Sequence, residues 1–349
     1  MTPKLIALYL PQYHTFPEND EWWGKGFTEW TNVKKAKPLY KNHNQPRVPL
    51  NDNYYNLMDS GTFDWQISLA KNYGIDAFCF YHYWFNGKLL LNAPLENYLK
   101  RKELDLPYCF SWANEPWTRS WDGENRCVLM NQVYGGKTDI INHFKYMLPF
   151  FLDSRYIKKD NKPVFVLYRA NSISYLSEMI DVWNKLALEN GFDGVFFVES
   201  LTGFQDEKFS SKTDACFYFE PMWILKKTIF QKILRSIKSP KWRNHKESYE
   251  KVWKKILKKE ELSSKRWAGG FVDWDNSPRK GKNGVIFEKT SVELFYKFLT
   301  LQFEKMKKAE CPVCFINAWN EWGEGTYLEP DTKNKYGFLE AIKKAKENR

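Results

Sequence analysis

The sequence predicts a single (β/α)8 TIM barrel with elaborated βα loops, and three observations predict it. Short, nearly continuous apolar runs recur along the chain, and helical stripes lie between them. The 349 residues exceed the roughly 250 of a bare barrel, with no repeat or low-complexity linker to divide them. The strand candidates are 5–10, 77–82, 108–112, 164–168, 195–199, 215–220, 267–272 and 313–318. Runs of this kind suit parallel strands buried on both faces. Phe63, Ile67 and Ala70 mark one helical face, closed by Gly74, and Leu176, Ile180, Trp183 and Ala187 mark a second, closed by Gly191. Thr290 and Glu293 form a capping box before a helix over 294–307, and a last helix spans 336–346. The surplus length falls into two loops, aromatic-rich 12–56 after strand one and a basic helical insertion, 223–265, after strand six. One catalytic domain, 1–349, is expected.

Composition narrows the class. With 43% hydrophobic and 27% charged residues the chain can bury a full core. No stretch approaches the roughly 20 apolar residues of a membrane helix, and the apolar start is too short for a signal peptide. A soluble, cytoplasmic protein is expected. The six cysteines mostly sit inside apolar runs, as reduced core cysteines do, and Cys311-Pro312-Val313-Cys314 opens a strand rather than the helix a redox pair wants. The net charge of +11 equals that of segment 226–266 alone, where 15 Lys or Arg face 4 Glu. Its expected partner is an anionic inner-membrane surface or a lipid-linked glycan, or else it is a solvated helical face. No nucleic-acid motif accompanies it. Five histidines without an H-E-x-x-H pattern give no zinc site, and no metal or organic cofactor is implied.

In barrels of this kind chemistry lies at the C-terminal ends of the strands. Those ends read Gln12-Tyr13-His14, His82-Tyr83-Trp84, Trp112-Ala113-Asn114-Glu115-Pro116-Trp117, Tyr168-Arg169, Glu199-Ser200, Glu220-Pro221, Asp273-Trp274-Asp275 and Asn317 through Gly325. Carboxylates, amides and large aromatics dominate, with no serine nucleophile elbow. Sugar hydroxyls want such bidentate partners, and pyranose faces want flat rings. Core filling accounts for many aromatics, but poorly for Trp22, Trp23, Trp112, Trp117, Trp121, Trp319 and Trp322 gathering at loops. Glu321-Trp322-Gly323-Glu324 is the sharpest feature. Two glutamates three apart on a glycine-softened turn can enter one pocket, where proximity pushes their pKa values apart to supply an acid and a base.

Asn320-Glu321-Trp322-Gly323-Glu324-Gly325-Thr326 with Glu329-Pro330 resembles the Asn-Glu-Trp-x-Glu-Gly signature of the family 99 endo-α-mannosidases. The related WbsX group, found with bacterial lipopolysaccharide and polysaccharide biosynthesis, resembles more of the chain. The matching pieces are Tyr9-Leu10-Pro11-Gln12-Tyr13-His14, Phe27-Thr28-Glu29-Trp30, Trp112 to Trp117, and Trp274-Asp275-Asn276-Ser277-Pro278-Arg279. The resemblance implies a retaining α-mannoside-cleaving barrel, with Glu321 as the base that deprotonates the sugar's own 2-hydroxyl to give a 1,2-anhydro sugar. It implies Glu324 as the acid that releases the leaving group and then activates water. Tyr9, His82, Asn114, Glu115, Asp275, Arg279 and Asn320 are the expected sugar-binding residues, with Trp112, Trp117 and Trp322 as stacking walls. The chain departs from the hydrolases in placing Gly323 where they often carry His, and in its basic insertion.

Three alternatives stay open. Glu115 can be the acid with Glu321 as nucleophile. Asp273-Trp274-Asp275 matches the short Asp-x-Asp pattern of metal-dependent glycosyltransferases using nucleotide sugars, or a lipid-linked sugar is the donor, and Arg279 is expected to pair with either aspartate. A barrel that only binds glycan is the third.

Overall fold

A computed structural model describes residues 3–118, 128–203, 210, 212–226 and 245–348. Eight parallel strands close a barrel: β1 Lys4–Tyr9, β2 Ala77–Phe85, β3 Tyr108–Trp112, β4 Lys162–Leu167, β5 Phe196–Leu201, β6 Ala215–Tyr218, β7 Arg266–Phe271 and β8 Val313–Asn317. Closure comes from β1, which pairs in parallel with β2 (Ile6 opposite Ala77) and with β8 (Leu5 opposite Cys314). All eight expected strands are present within a few residues of their predicted ends. The exception is β2, which continues to Phe85 because it turns into an antiparallel hairpin with Lys88–Leu90.

The strands are buried along almost their whole length because both faces are covered, as their apolar runs require. Inside, rings interdigitate, with Phe217 stacked on Phe315 at 4.1 Å between centroids. Where β6 and β7 approach most closely only Gly269 fits, since a Cβ there would overlap the Tyr218 carbonyl oxygen.

The outer ring is α1 Ser60–Asn72, α2 Ala93–Lys100, α3 Gly136–Phe151, α4 Leu176–Glu189, α5 Tyr249–Lys259, α6 Val292–Lys308 and α7 Gly337–Glu347. Phe63, Ile67 and Ala70 do face the core from α1, and Gly74 follows it at φ +84°. The N-cap of α6 differs from expectation: Ser291 accepts from the Leu294 N–H at 3.2 Å. Thr290 is instead drawn inward, its hydroxyl donating to Asp273 at 2.5 Å. The described end of the basic stretch is barrel wall as well. Helix α5 buries Tyr249, Val252, Trp253 and Ile256 and turns Lys251, Lys254, Lys255, Lys258 and Lys259 outward, while residues 227–244 lie outside the described ones. Cys311 and Cys314 are both buried, and burial raises the Cys311 thiol to about 11, far from a reactive thiolate.

Trp253 joins three elements, lying parallel to Phe271 of β7 at 5.3 Å and to Phe298 of α6 at 5.9 Å. It is fully buried. Trp253→Ala should therefore lower the unfolding free energy by about 3–5 kcal/mol, the cost of deleting a large core aromatic, as measured by urea denaturation.

Candidate active site

The loop leaving β8 is fixed before it presents anything to solvent. Asn320 accepts from the Leu10 N–H at 2.8 Å and donates to the Leu10 carbonyl at 3.0 Å, stitching this loop to the end of β1. Tyr13 donates to the Asn320 carbonyl and accepts from the Trp322 N–H at 3.3 Å. Trp322 turns inward, stacks on Tyr327 at 3.7 Å and donates from its indole to Glu329 at 2.7 Å. Residues 322–324 form one 3-10 turn, ended by Gly325 in the left-handed region at φ +66°. A side chain at Gly325 would strike the backbone of Asp275, whose N–H donates to the Glu324 carbonyl at 2.8 Å.

Held this way, Glu321 and Glu324 both line one cavity of about 590 Å³ at the C-terminal end of the barrel. A single guanidinium joins them. Arg279, on the short helix Ser277–Lys280, contacts Glu321 at 3.0 Å and Glu324 at 2.8 Å through its two terminal nitrogens, and Glu29 at 2.9 Å through Nε. Burial raises the Glu321 carboxyl to about 8, with Arg279 opposing the shift and Glu324 and Glu29 adding to it. Glu29 is fully buried, and burial lifts it to about 7 against the pull of Arg279. The sequence pattern paired Arg279 with an aspartate. The structure corrects this: Asp273 holds Arg47 at 2.8 Å, and Asp275 accepts from His43 and Gln45, each at 2.8 Å. Burial alone would raise Asp275, yet these donors and the nearby Arg47 hold it down at about 2. Among the described residues no group of three His, Cys, Asp or Glu is arranged to hold a metal ion.

The expected site residues divide into two sets. Glu115, Trp117, Arg279, Glu321 and Glu324 line the cavity, with Glu115 paired to Arg169 at 2.6 Å. Tyr9, His82, Trp112, Asn114, Asp275, Asn320 and Trp322 do not. They are buried behind its wall because each is taken up by other protein groups. Tyr9 donates to Gln66 at 2.6 Å, and His82 lies 2.8 Å from His143 in an aromatic nest where burial lowers it to about 3. The Trp112 indole donates to the Trp84 carbonyl at 3.2 Å. Asn114 pins the backbone of Arg169 through bonds of 2.8 and 2.9 Å. Trp121 lies outside the described residues. The walls also contain Gln12, Tyr83 and Arg169 from the strand ends, and three groups the strand-end reading passed over: Tyr81, Phe219 and Lys280. Tyr83 stands edge-on to Trp117 at 5.0 Å. Tyr81 was hidden inside an apolar run, where only alternation along β2 tells an inward ring from an outward one.

The profile of the family described as Glycosyltransferase WbsX matches residues 5–342. The chain belongs to this family. A relative in Xanthomonas campestris pv. campestris, an uncharacterized protein named WxcX, is 32% identical over 346 residues, covering 98% of this chain and 49% of its own length. The chain thus spans about half the length of that relative. Among solved structures, a glycoside hydrolase-like protein aligns with a TM-score of 0.61 at 14% identity, over 99% of this chain and 94% of its own. The GH99 endo-α-mannosidase of Bacteroides thetaiotaomicron aligns with a TM-score of 0.58 at 12% identity, over 99% and 96%. These likenesses show that the WbsX chain has the same barrel fold.

Arg279 is the shared cation of three carboxylates and only 12% exposed. Arg279→Met strands them, and losing one partner of a buried pair costs about 3–5 kcal/mol. Glu29 and Glu321 have raised values, so what they contribute is present at low pH and lost as pH rises through 7 to 8. The loss of unfolding free energy in Arg279→Met should be full at pH 8.5 and much smaller at pH 5, where both are protonated.

Proposed function

We propose that the cavity holds a glycan whose α-mannoside-type linkage is broken with retention by Glu321 and Glu324. The observation that carries this reading is the pair itself: two carboxyls three residues apart, in one sugar-sized cavity, on one guanidinium. Glu321 takes the proton of the 2-hydroxyl, the freed O2 attacks C1, and Glu324 gives its proton to the departing oxygen. The 1,2-anhydro sugar is then opened at C1 by water, whose proton goes to Glu324 as O2 recovers its own from Glu321. Arg279 steadies the negative charge that the pair exchanges, and Tyr83 and Trp117 offer ring faces to the sugar.

A second reading is favoured by the family's description. In glycosyl transfer an acceptor hydroxyl takes the place of water in the second step, and the same two residues serve. The Asp-x-Asp route to a nucleotide sugar gains less support, because Asp273 and Asp275 are already engaged by Arg47, His43 and Gln45. The assignment of Glu115 as acid is weakened by its ion pair with Arg169.

Glu321→Gln and Glu324→Gln should each lower turnover by about 10²–10⁴-fold, the usual worth of a positioned acid or base, and Glu115→Gln by much less. Near-normal turnover of Glu324→Gln would transfer the acid role to Glu115. Glu321 acts ionised and titrates near about 8, so kcat should climb with pH toward that value. Assays with α-mannosides, with and without an acceptor sugar, separate hydrolysis from transfer by product analysis.

The reading extends to the outward lysines of α5, which favour an anionic lipid surface or lipid-linked glycan as partner; among the described residues no helix is long and apolar enough to cross a membrane. Replacing Lys251, Lys255 and Lys258 by Gln should weaken binding to phosphatidylglycerol vesicles, read by co-sedimentation, by about 10²-fold, at about 1 kcal/mol per surface lysine.

A further inference from the structure

We propose that Glu29 is a positioning residue that acts on Glu321 and Glu324 through Arg279 and shares their protons. Resting on the catalytic reading of that pair, the inference adds a third carboxylate to it. Glu29 begins the short helix Glu29–Lys35, and its backbone N–H donates to the Gln12 carbonyl at 3.1 Å, fixing it against the loop that follows β1. Its Oε1 receives the Arg279 Nε–H, so the guanidinium is held from behind while both terminal nitrogens face the cavity carboxylates. Its Oε2 is buried without a hydrogen-bond partner. A bare buried carboxylate oxygen is costly, and a proton settles there without displacing any existing bond.

The loop opposite is shaped around this group. A Cβ built on Gly323 would overlap Glu29 Oε1 and lie 2.9 Å from Arg279 Nε. Gly323 therefore leaves room for the third carboxylate between the two that line the cavity. Among the charged and titratable groups facing the cluster, Arg279 comes from the helix Ser277–Lys280, Glu321 and Glu324 from the β8 loop, Glu115 from the loop after β3, and the neutral hydroxyls of Tyr13, Tyr81, Tyr83 and Tyr168 from the β1 loop, β2 and the end of β4. Three carboxylates thus compete for one cation, and the ionisation of Glu29 opposes that of Glu321.

The test titrates the full chain, labelled with δ-13C glutamate, by carbon NMR, with the Glu321 signal assigned by its loss in Glu321→Gln. In Glu29→Gln the amide oxygen still accepts from Arg279 but the charge is gone, and the Glu321 midpoint should fall by about one pH unit, as when a like charge is removed at short range. The acidic limb of the kcat profile should move down with it. An unmoved midpoint in a folded Glu29→Gln, whatever its melting temperature, overturns the proposal, because a merely structural role changes stability alone. Should that variant not fold, Gly323→Ala displaces Glu29 from the other side, and the same comparison is made there: a shifted Glu321 midpoint supports the proposal and an unmoved one overturns it. The titration needs no turnover, so its failure is distinct from failure of the catalytic reading, which the activity of Glu321→Gln decides.

Discussion

Three carboxyls at the mouth of this barrel converge on Arg279. One guanidinium, carried by the short helix after β7, takes three carboxylates from two segments: Glu29 from the helix after β1, and Glu321 and Glu324 from the turn after β8. Arginine suits this because its donors point in fixed, diverging directions, whereas a lysine ammonium is a single point charge. Three buried negative charges without it would repel one another in a medium that screens poorly. With it, the negative charge is in excess by two when all three carboxyls are ionised, and the raised values at Glu29 and Glu321 express that excess.

Behind this first arrangement stands a second, built on Glu329. Its carboxyl accepts from the Trp322 indole at 2.7 Å, the Tyr55 hydroxyl at 3.0 Å and the Gln66 amide at 2.7 Å. Gln66 sits on α1 and also accepts from Tyr9 on β1. The 3-10 turn that carries Glu321 and Glu324 is thereby anchored to the barrel wall rather than left as a mobile loop. Residues placed within fractions of an ångström by such supports need no reorganisation when charge moves, which is what acid and base chemistry asks of a site.

The division between what was legible and what was not follows from this layering. Apolar runs marked all eight strands because parallel strands are buried on both faces, a property that composition records directly. Motif residues Tyr9, Asn114, Asp275, Asn320 and Trp322 were legible as important but not as to role. A short polar side chain at a strand end looks the same whether it meets a sugar or a backbone carbonyl, and only the fold shows that Asn320 is spent on Leu10. Glu29 lies far from Arg279 along the chain, and nothing in local spacing joins them. Within the basic stretch, lysine density hid the buried stripe Val252, Trp253 and Ile256 of α5. The Thr290 cap failed for a similar reason: its hydroxyl found a buried aspartate that the sequence could not place beside it.

The three-residue spacing of the glutamates has a geometric basis in the turn between them. Glu321 caps the 3-10 turn 322–324 from outside it, at φ −79° and ψ 65°, and Glu324 ends the turn, so both carboxyls reach the cavity while the two residues between them point elsewhere. Trp322 turns onto Tyr327 and Glu329, and position 323 faces Glu29. Indole at 322 and glycine at 323 are thus conditions of the pair rather than its neighbours by chance: one anchors the turn, and the other leaves space for the carboxylate that holds Arg279 against both.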